Sequence, residues 1–163
     1  MFLKNYTSNV PVSQTIYRIQ QVLIKCGASS ITMEYGTTPG EVAAVHFTIP
    51  GATGNIKIRL PADKDKATDA LWVDYVDGEK LTADGARLAW NPRKKKIKAD
   101  FHEQGARTAW KIVQDWVEVQ MSMIQMRQAD TLQVFLPYVF DGTRTYYQAL
   151  KESNFRGMLP EKT

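Results

Sequence analysis

The apolar residues change their spacing between residues 12 and 60, and this change constrains the fold more than any other feature of the sequence. In VPVSQTIYRIQQVLIKCG the spacing is four or three residues, which is typical of one face of a helix. This face holds Val12, Ile16, Ile19, Leu23 and Cys26. From Ser30 the apolar residues alternate with polar ones, which is typical of half-buried strands. The sequence therefore predicts one helix followed by a sheet.

Three alternating segments follow one another closely: SSITMEYG, EVAAVHFTI and NIKIRL. The connections GTTPG and PGATG contain the glycine and proline residues that favour tight turns. We therefore expect a three-stranded antiparallel sheet with one face packed against the N-terminal helix. That inner face holds Ala43, Val45, Phe47, Ile49, Ile56, Ile58 and Leu60.

The spacing becomes helical again after residue 62, with Asp63 or Asp65 as the N-cap and Asp77-Gly78 as the stop. Residues 79–103 are polar and predict a long connection. A long helix and a short closing helix follow in EQGARTAWKIVQDWVEVQMSMIQMRQ and TRTYYQALKES. The predicted class is α+β, in which an N-terminal helix packed on a three-stranded antiparallel sheet precedes a mostly helical C-terminal half.

The chain has 163 residues, of which 44% are hydrophobic, and this suits one domain with a sizeable core. We expect a single domain over residues 1–163, with a sheet part at about 10–61, a helical part at about 62–155 and a tail at 156–163. The single cysteine cannot form an internal disulfide, and no apolar run approaches the roughly 18 residues of a membrane span. The N-terminus also lacks the apolar region of a signal peptide, so we expect an intracellular protein without a membrane partner.

Polar side chains lie on the outer face of the predicted sheet, and they form the best candidate ligand site. Glu34, His46, Lys57 and Arg59 are its charged or titratable members. Arginine and lysine donors match the oxygens of a phosphate, so this face could bind phosphate or a nucleotide. The alternative is an ordinary solvated face, which antiparallel sheets commonly have.

A basic run, NPRKKKIKADF, accounts for the basicity of the chain. The net charge is +4, and removing the five cations of the run leaves 16 basic against 17 acidic residues. Five adjacent cations beside an aromatic residue predict contact with nucleic acid through phosphates and a stacked base. The predicted contact residues are Trp90, Arg93, Lys94, Lys95, Lys96 and Lys98. The alternatives are an acidic protein partner and a solvated loop.

The sequence predicts no catalytic residue, no metal site and no cofactor. His46-Phe47-Thr48 has the His-x-Thr form of two-histidine phosphoesterases, but His102 is followed by Gln104, so the second motif is absent. A phosphodiesterase is therefore the weaker alternative. Three methionines near one helix end, Met121, Met123 and Met126, predict a protein partner or a homodimer if they are exposed together.

Two blocks resemble a family of small proteins carried by bacteriophages, prophages and other mobile elements. The blocks are NYTSNVPVSQTIYRIQQVLIKCGA and ARTAWKIVQDWVEVQMSMIQ with VFLPYVFDGTRTYYQAL. The resemblance implies a non-enzymatic accessory protein in the cytoplasm of a bacterial host, acting by binding, foremost to nucleic acid in replication or recombination. The alternative that it implies is an inhibitor of a bacterial defence system that binds a host protein or a signalling nucleotide.

Overall fold

The computed structural model describes residues 2–85 and 96–158, and within residues 79–85 it describes the backbone alone. It confirms the α+β class and the predicted order of a helix, an antiparallel sheet and a mostly helical C-terminal half. The elements are α1 (Val12–Lys25), β1 (Ser30–Tyr35), β2 (Val42–Gly51), β3 (Gly54–Pro61), α2 (Lys64–Gly85), α3 (His102–Gln125), α4 (Thr131–Phe135) and α5 (Tyr146–Glu152). Within the described residues, no helix is both long enough and apolar enough to cross a membrane.

The three strands form one antiparallel sheet in the order β1-β2-β3. The register pairs Ile31 with Phe47 and Phe47 with Ile58 across the inner face. A tight hairpin joins β2 to β3, and Gly54 adopts a φ of +140° there, which side chains rarely tolerate. The alternating pattern therefore predicted both the strands and the face that each residue occupies.

The described chain divides into two compact units. The first contains Met1–Arg18 and Ala62–Trp116, and the second contains Ile19–Pro61 and Val117–Thr163. The second unit therefore holds the whole sheet. The prediction of a single domain over residues 1–163 stays a prediction.

The second unit has an apolar core under the inner face of the sheet. Phe47 packs edge-to-face on Phe135, with ring centroids 5.4 Å apart. The buried apolar residues of this core are Ile19, Leu23, Val45, Phe47, Ile49, Ile58, Leu60, Val117, Met121 and Phe135. Ala44 is buried as well, but its pairing with Glu34 places it on the polar face. Ala43 and Ile56, which the pattern placed on the inner face, are only half-buried.

The first unit is built on a close approach of α2 and α3 at Gly105. A side chain there would meet the hydroxyl of Thr68 and would lie 3.0 Å from the carbonyl oxygen of Lys64. The buried apolar residues are Ile16, Ala67, Leu71, Ala109 and Trp110. A glycine at this position is therefore needed for packing rather than for backbone conformation.

Asp115 ties the N-terminal segment to α3 within the same unit. Its carboxylate accepts hydrogen bonds from Asn5 Nδ2 at 3.0 Å and from Lys111 Nζ at 2.8 Å, and Lys4 Nζ lies at 3.0 Å. Burial opposes ionisation of this carboxyl, but the hydrogen bonds from Lys111, Asn5 and Lys4 lower its pKa to about 2.

One prediction about the helices is wrong, and part of another lies outside the described residues. The stop at Asp77-Gly78 is wrong, because α2 continues through both residues to Gly85. One glycine inside a helix costs only about 1 kcal/mol, which a helix of this length tolerates. The predicted connection over 79–103 is helical at both ends, and residues 86–95 lie outside the described part of the chain. The N-cap prediction is confirmed at Asp63, whose Oδ1 accepts a hydrogen bond from Lys66 N at 3.0 Å.

Candidate functional site

The polar face of the sheet in the second unit places its side chains in two cross-strand rows. The first row pairs Ser30 with Thr48 and Thr48 with Lys57. The second pairs Thr32 with His46 and His46 with Arg59. Neighbours in such a row have Cβ atoms about 5 Å apart, so their polar groups can reach one ligand.

Glu34 lies beyond the second row and binds two of its members. Arg59 donates to both carboxylate oxygens, with Nε to Oε2 at 2.9 Å and Nη2 to Oε1 at 2.7 Å. The Nε2 atom of His46 lies 2.6 Å from the same Oε2. The hydrogen bond from Arg59, with a further contribution from His46, outweighs burial and lowers the pKa of Glu34 to about 2. Glu34 is therefore ionised at neutral pH and holds His46 and Arg59 in place.

Phe140 forms the wall of this site, and sequence reasoning missed it. Val139 bridges Ile58 of β3, and Phe140 N donates to the carbonyl oxygen of Lys57 at 2.8 Å. These backbone contacts bring the Phe140 ring to 5.2 Å from the His46 ring in an edge-to-face arrangement. The sequence around Phe140, a single phenylalanine before an Asp-Gly turn, does not indicate that this residue pairs with a strand some 80 residues earlier in the chain.

The two rows of side chains and the Phe140 ring line an open cleft of about 520 Å³. Its lining is Ser30, Thr32, Met33, Glu34, His46, Phe47, Thr48, Lys57, Phe140 and Gly142. Lys57 is exposed, and its ammonium forms no ion pair with any residue that the structure describes. Arg59 is engaged by Glu34 and does not line the cleft. The structure thus brings together all four predicted residues of the ligand face, but only Lys57 offers an uncommitted cation.

The basic run is described only at its end. Trp90, Arg93, Lys94 and Lys95 lie outside the described residues, so their predicted contact with nucleic acid stays a prediction. The Nζ atom of Lys98 lies 2.5 Å from the carboxylate of Asp69, with both side chains about half exposed.

Lys96, the other described member of the run, lies beside an aromatic cluster. Its ammonium is 5.4 Å from the centroid of the Phe101 ring. Phe101 contacts Tyr75 and Trp72, with centroid separations of 5.4 and 6.1 Å. The aromatic cluster beside Lys96 therefore consists of Phe101, Tyr75 and Trp72.

Metal and thiol chemistry gain no support from the described residues. No group of three or more His, Cys, Asp or Glu side chains there is arranged to hold a metal ion. Cys26 is largely exposed, but partial desolvation raises the pKa of its thiol, which disfavours the reactive thiolate. The methionine cluster is not one exposed surface, because Met121 is buried, Met123 is half-buried and Met126 is exposed.

The chain matches no protein-family model, no curated protein and no solved structure. Its relation to proteins of bacteriophages and mobile elements stays a prediction. The features of the chain that bear on function are therefore the cleft of the sheet and the basic run.

Proposed function

We propose that this protein acts by binding a small phosphate-bearing ligand in the cleft over the polar face of its sheet, without chemical turnover. The observation that supports this proposal is the row formed by Ser30, Thr48 and Lys57, which offers two hydroxyls and an uncommitted ammonium side by side. Hydroxyl and ammonium groups both donate hydrogen bonds to phosphate oxygens, and bonds to a charged acceptor are the stronger ones.

The charge balance of the cleft also favours an anion. Glu34 is the one carboxylate in the lining, and its negative charge is already compensated by Arg59 behind it. Lys57 therefore leaves an excess positive charge on the lining. A phosphate ester placed on the first row would pair with Lys57 without displacing the Glu34–Arg59 pair.

The position of His46 favours binding over catalysis. A histidine base must reach the proton of a nucleophile, typically at 2.6 to about 3.2 Å. The Nε2 atom of His46 is engaged by Glu34, and no hydroxyl of the described residues hydrogen-bonds to this ring. With Nε2 held by the Glu34 carboxylate, a neutral His46 ring presents Nδ1 as an acceptor, and no described side chain supplies a hydroxyl nucleophile to it.

Isothermal titration calorimetry with inorganic phosphate and a panel of phosphate monoesters tests the proposal. Replacing Lys57 by Gln removes one charged hydrogen bond of about 1.5–3 kcal/mol, so we expect affinity to fall by about tenfold or more. Lys151→Gln is the matched control, because it removes an exposed lysine from α5 and should leave the affinity unchanged. Equal affinity for wild type and Lys57→Gln, or no binding of any phosphate compound by the wild type, would contradict the proposal.

A second candidate function is nucleic-acid binding through the basic run, favoured by the position of Lys96 beside the Phe101 ring. Each phosphate contact contributes a slope of about −0.9 on duplex DNA and about −0.7 on a single strand to log affinity against log salt. Changing Lys94, Lys95 and Lys96 together to Gln should therefore flatten the slope by about 2.7 on duplex DNA and by about 2 on a single strand. An unchanged slope would show that these lysines do not contact the nucleic acid.

The two candidates correspond to the two biological settings that the sequence resemblance implies. A ligand cleft on the sheet suits a protein that sequesters a signalling nucleotide of a bacterial defence system. A basic run beside aromatic rings suits a protein of phage replication or recombination.

A further inference from the structure

We infer that the ligand of the sheet cleft is a nucleoside phosphate, recognised at its phosphate, at a hydrogen-bond donor of its sugar or base, and at the flat face of its base. This inference rests on the proposed function and deepens it. Three features of the cleft carry it: the first row, the Glu34 carboxylate and the Phe140 ring.

Glu34 has one acceptor position left for a ligand. A carboxylate offers about four lone-pair sites. Arg59 occupies one on each oxygen, and His46 occupies a second one on Oε2, so a single site on Oε1 is free of these contacts. The side chain is 38% exposed and lines the cleft, so this site is accessible. An ionised carboxylate accepts from a sugar hydroxyl or an exocyclic amine and repels a second phosphate.

The spacing of these features matches the layout of a nucleotide. The row of Ser30, Thr48 and Lys57 lies two residues along the strands from the row of His46, a separation of about 7 Å at 3.3 Å per residue. The carboxylate of Glu34 reaches back to this second row through His46 and Arg59. A phosphate held on the first row therefore places the sugar and base of its ester next to Glu34 and His46.

Phe140 supplies an apolar wall for a flat ring. Its backbone is fixed on β3 through Lys57, and its ring stands edge-to-face on His46, so the wall is already formed before a ligand binds. The ring is only half-buried, which leaves part of it open to the cleft. Bases stack on aromatic side chains with little dependence on base identity, because every base has a π-face. The cleft volume of about 520 Å³ lies in the range of about 300–1,000 Å³ that small-molecule sites occupy.

Calorimetry of the full chain with three classes of probe separates this inference from the proposed function. The probes are inorganic phosphate, ribose phosphate and the four common ribonucleoside monophosphates. We expect at least one nucleotide to bind about tenfold more tightly than ribose phosphate, because the base adds a contact of at least 1.4 kcal/mol. Phe140→Leu should remove that difference between the nucleotide and ribose phosphate.

The outcomes are distinct. If none of the probes binds, the proposed function fails. If ribose phosphate and every nucleotide bind with equal affinity, phosphate binding stands and the nucleotide inference is overturned. Where Phe140→Leu does not fold, nuclear Overhauser contacts between base protons and the Phe140 ring of the wild-type protein decide the same question, and their absence with a bound nucleotide overturns the inference.

Discussion

Replacing Glu34 by Gln tests whether the interactions of the Glu34 carboxylate with Arg59 and His46 stabilise the fold. The pKa of Glu34 falls from 4.5 to about 2 on folding, which at about 1.36 kcal/mol per pH unit corresponds to about 3 kcal/mol. Since the side chain is 38% exposed, solvent screening reduces this figure, and we expect Glu34→Gln to lower the free energy of unfolding by about 1 kcal/mol at pH 7.

The stabilisation by Glu34 should decrease as the pH falls. Folding lowers the pKa of Glu34, so the stabilisation is complete above pH 4.5 and is lost as the pH falls towards 2. Roughly 60% of it should be lost by about pH 3. Urea unfolding of wild type, Glu34→Gln, Arg59→Gln and the double variant at both pH values measures the coupling of Glu34 with Arg59. A Glu34→Gln variant as stable as wild type at pH 7, or a difference that does not shrink at pH 3, would refute the reasoning.

Two further predictions concern the first unit. Gly105→Ala should destabilise the protein by about 1–3 kcal/mol, because the added methyl group meets Thr68. Gly78→Ala is the control, because Gly78 lies within α2 and an added methyl group there meets no other atom. This change should stabilise the protein by up to about 1 kcal/mol. Equal effects in urea unfolding would count against the close approach at Gly105. Asp115→Asn should cost about 1–2 kcal/mol above pH 3.8 and progressively less towards pH 2, because folding lowers the pKa of Asp115 from 3.8 to about 2. A cost that does not change with pH would show that the pairing with Lys111 is not its source.

The fold was predictable where one periodicity dominates a segment. β2 and β3 were predicted to within about two residues, because alternation specifies both the strand and the face of each side chain. The end of α2 was not predictable from Asp77-Gly78, since the same dipeptide that caps one helix is tolerated inside another. A single capping dipeptide is weaker evidence for the end of a helix than periodicity is for its presence, because tertiary packing can override the dipeptide.

The candidate site was predictable as a set of residues and unpredictable as a network. Alternation placed Glu34, His46, Lys57 and Arg59 on one face, and the structure brings them together. The sequence could not show that Glu34 engages Arg59 and His46 and leaves Lys57 uncommitted, because that depends on the register between three strands. It also could not place Phe140, whose position depends on a long-range backbone bridge.

The division of the candidate contact lysines between the two units allows the two candidate functions to be told apart. Lys57 belongs to the second unit, whereas Lys96 and Lys98 belong to the first. A mononucleotide that occupies the cleft competes with an oligonucleotide only if the oligonucleotide also contacts Lys57. In that case Lys57→Gln removes one phosphate contact and flattens the salt slope on a single strand by about 0.7, in addition to the effect of the basic run. If the mononucleotide does not compete and Lys57→Gln leaves the slope unchanged, the sheet cleft and the basic run are separate binding surfaces.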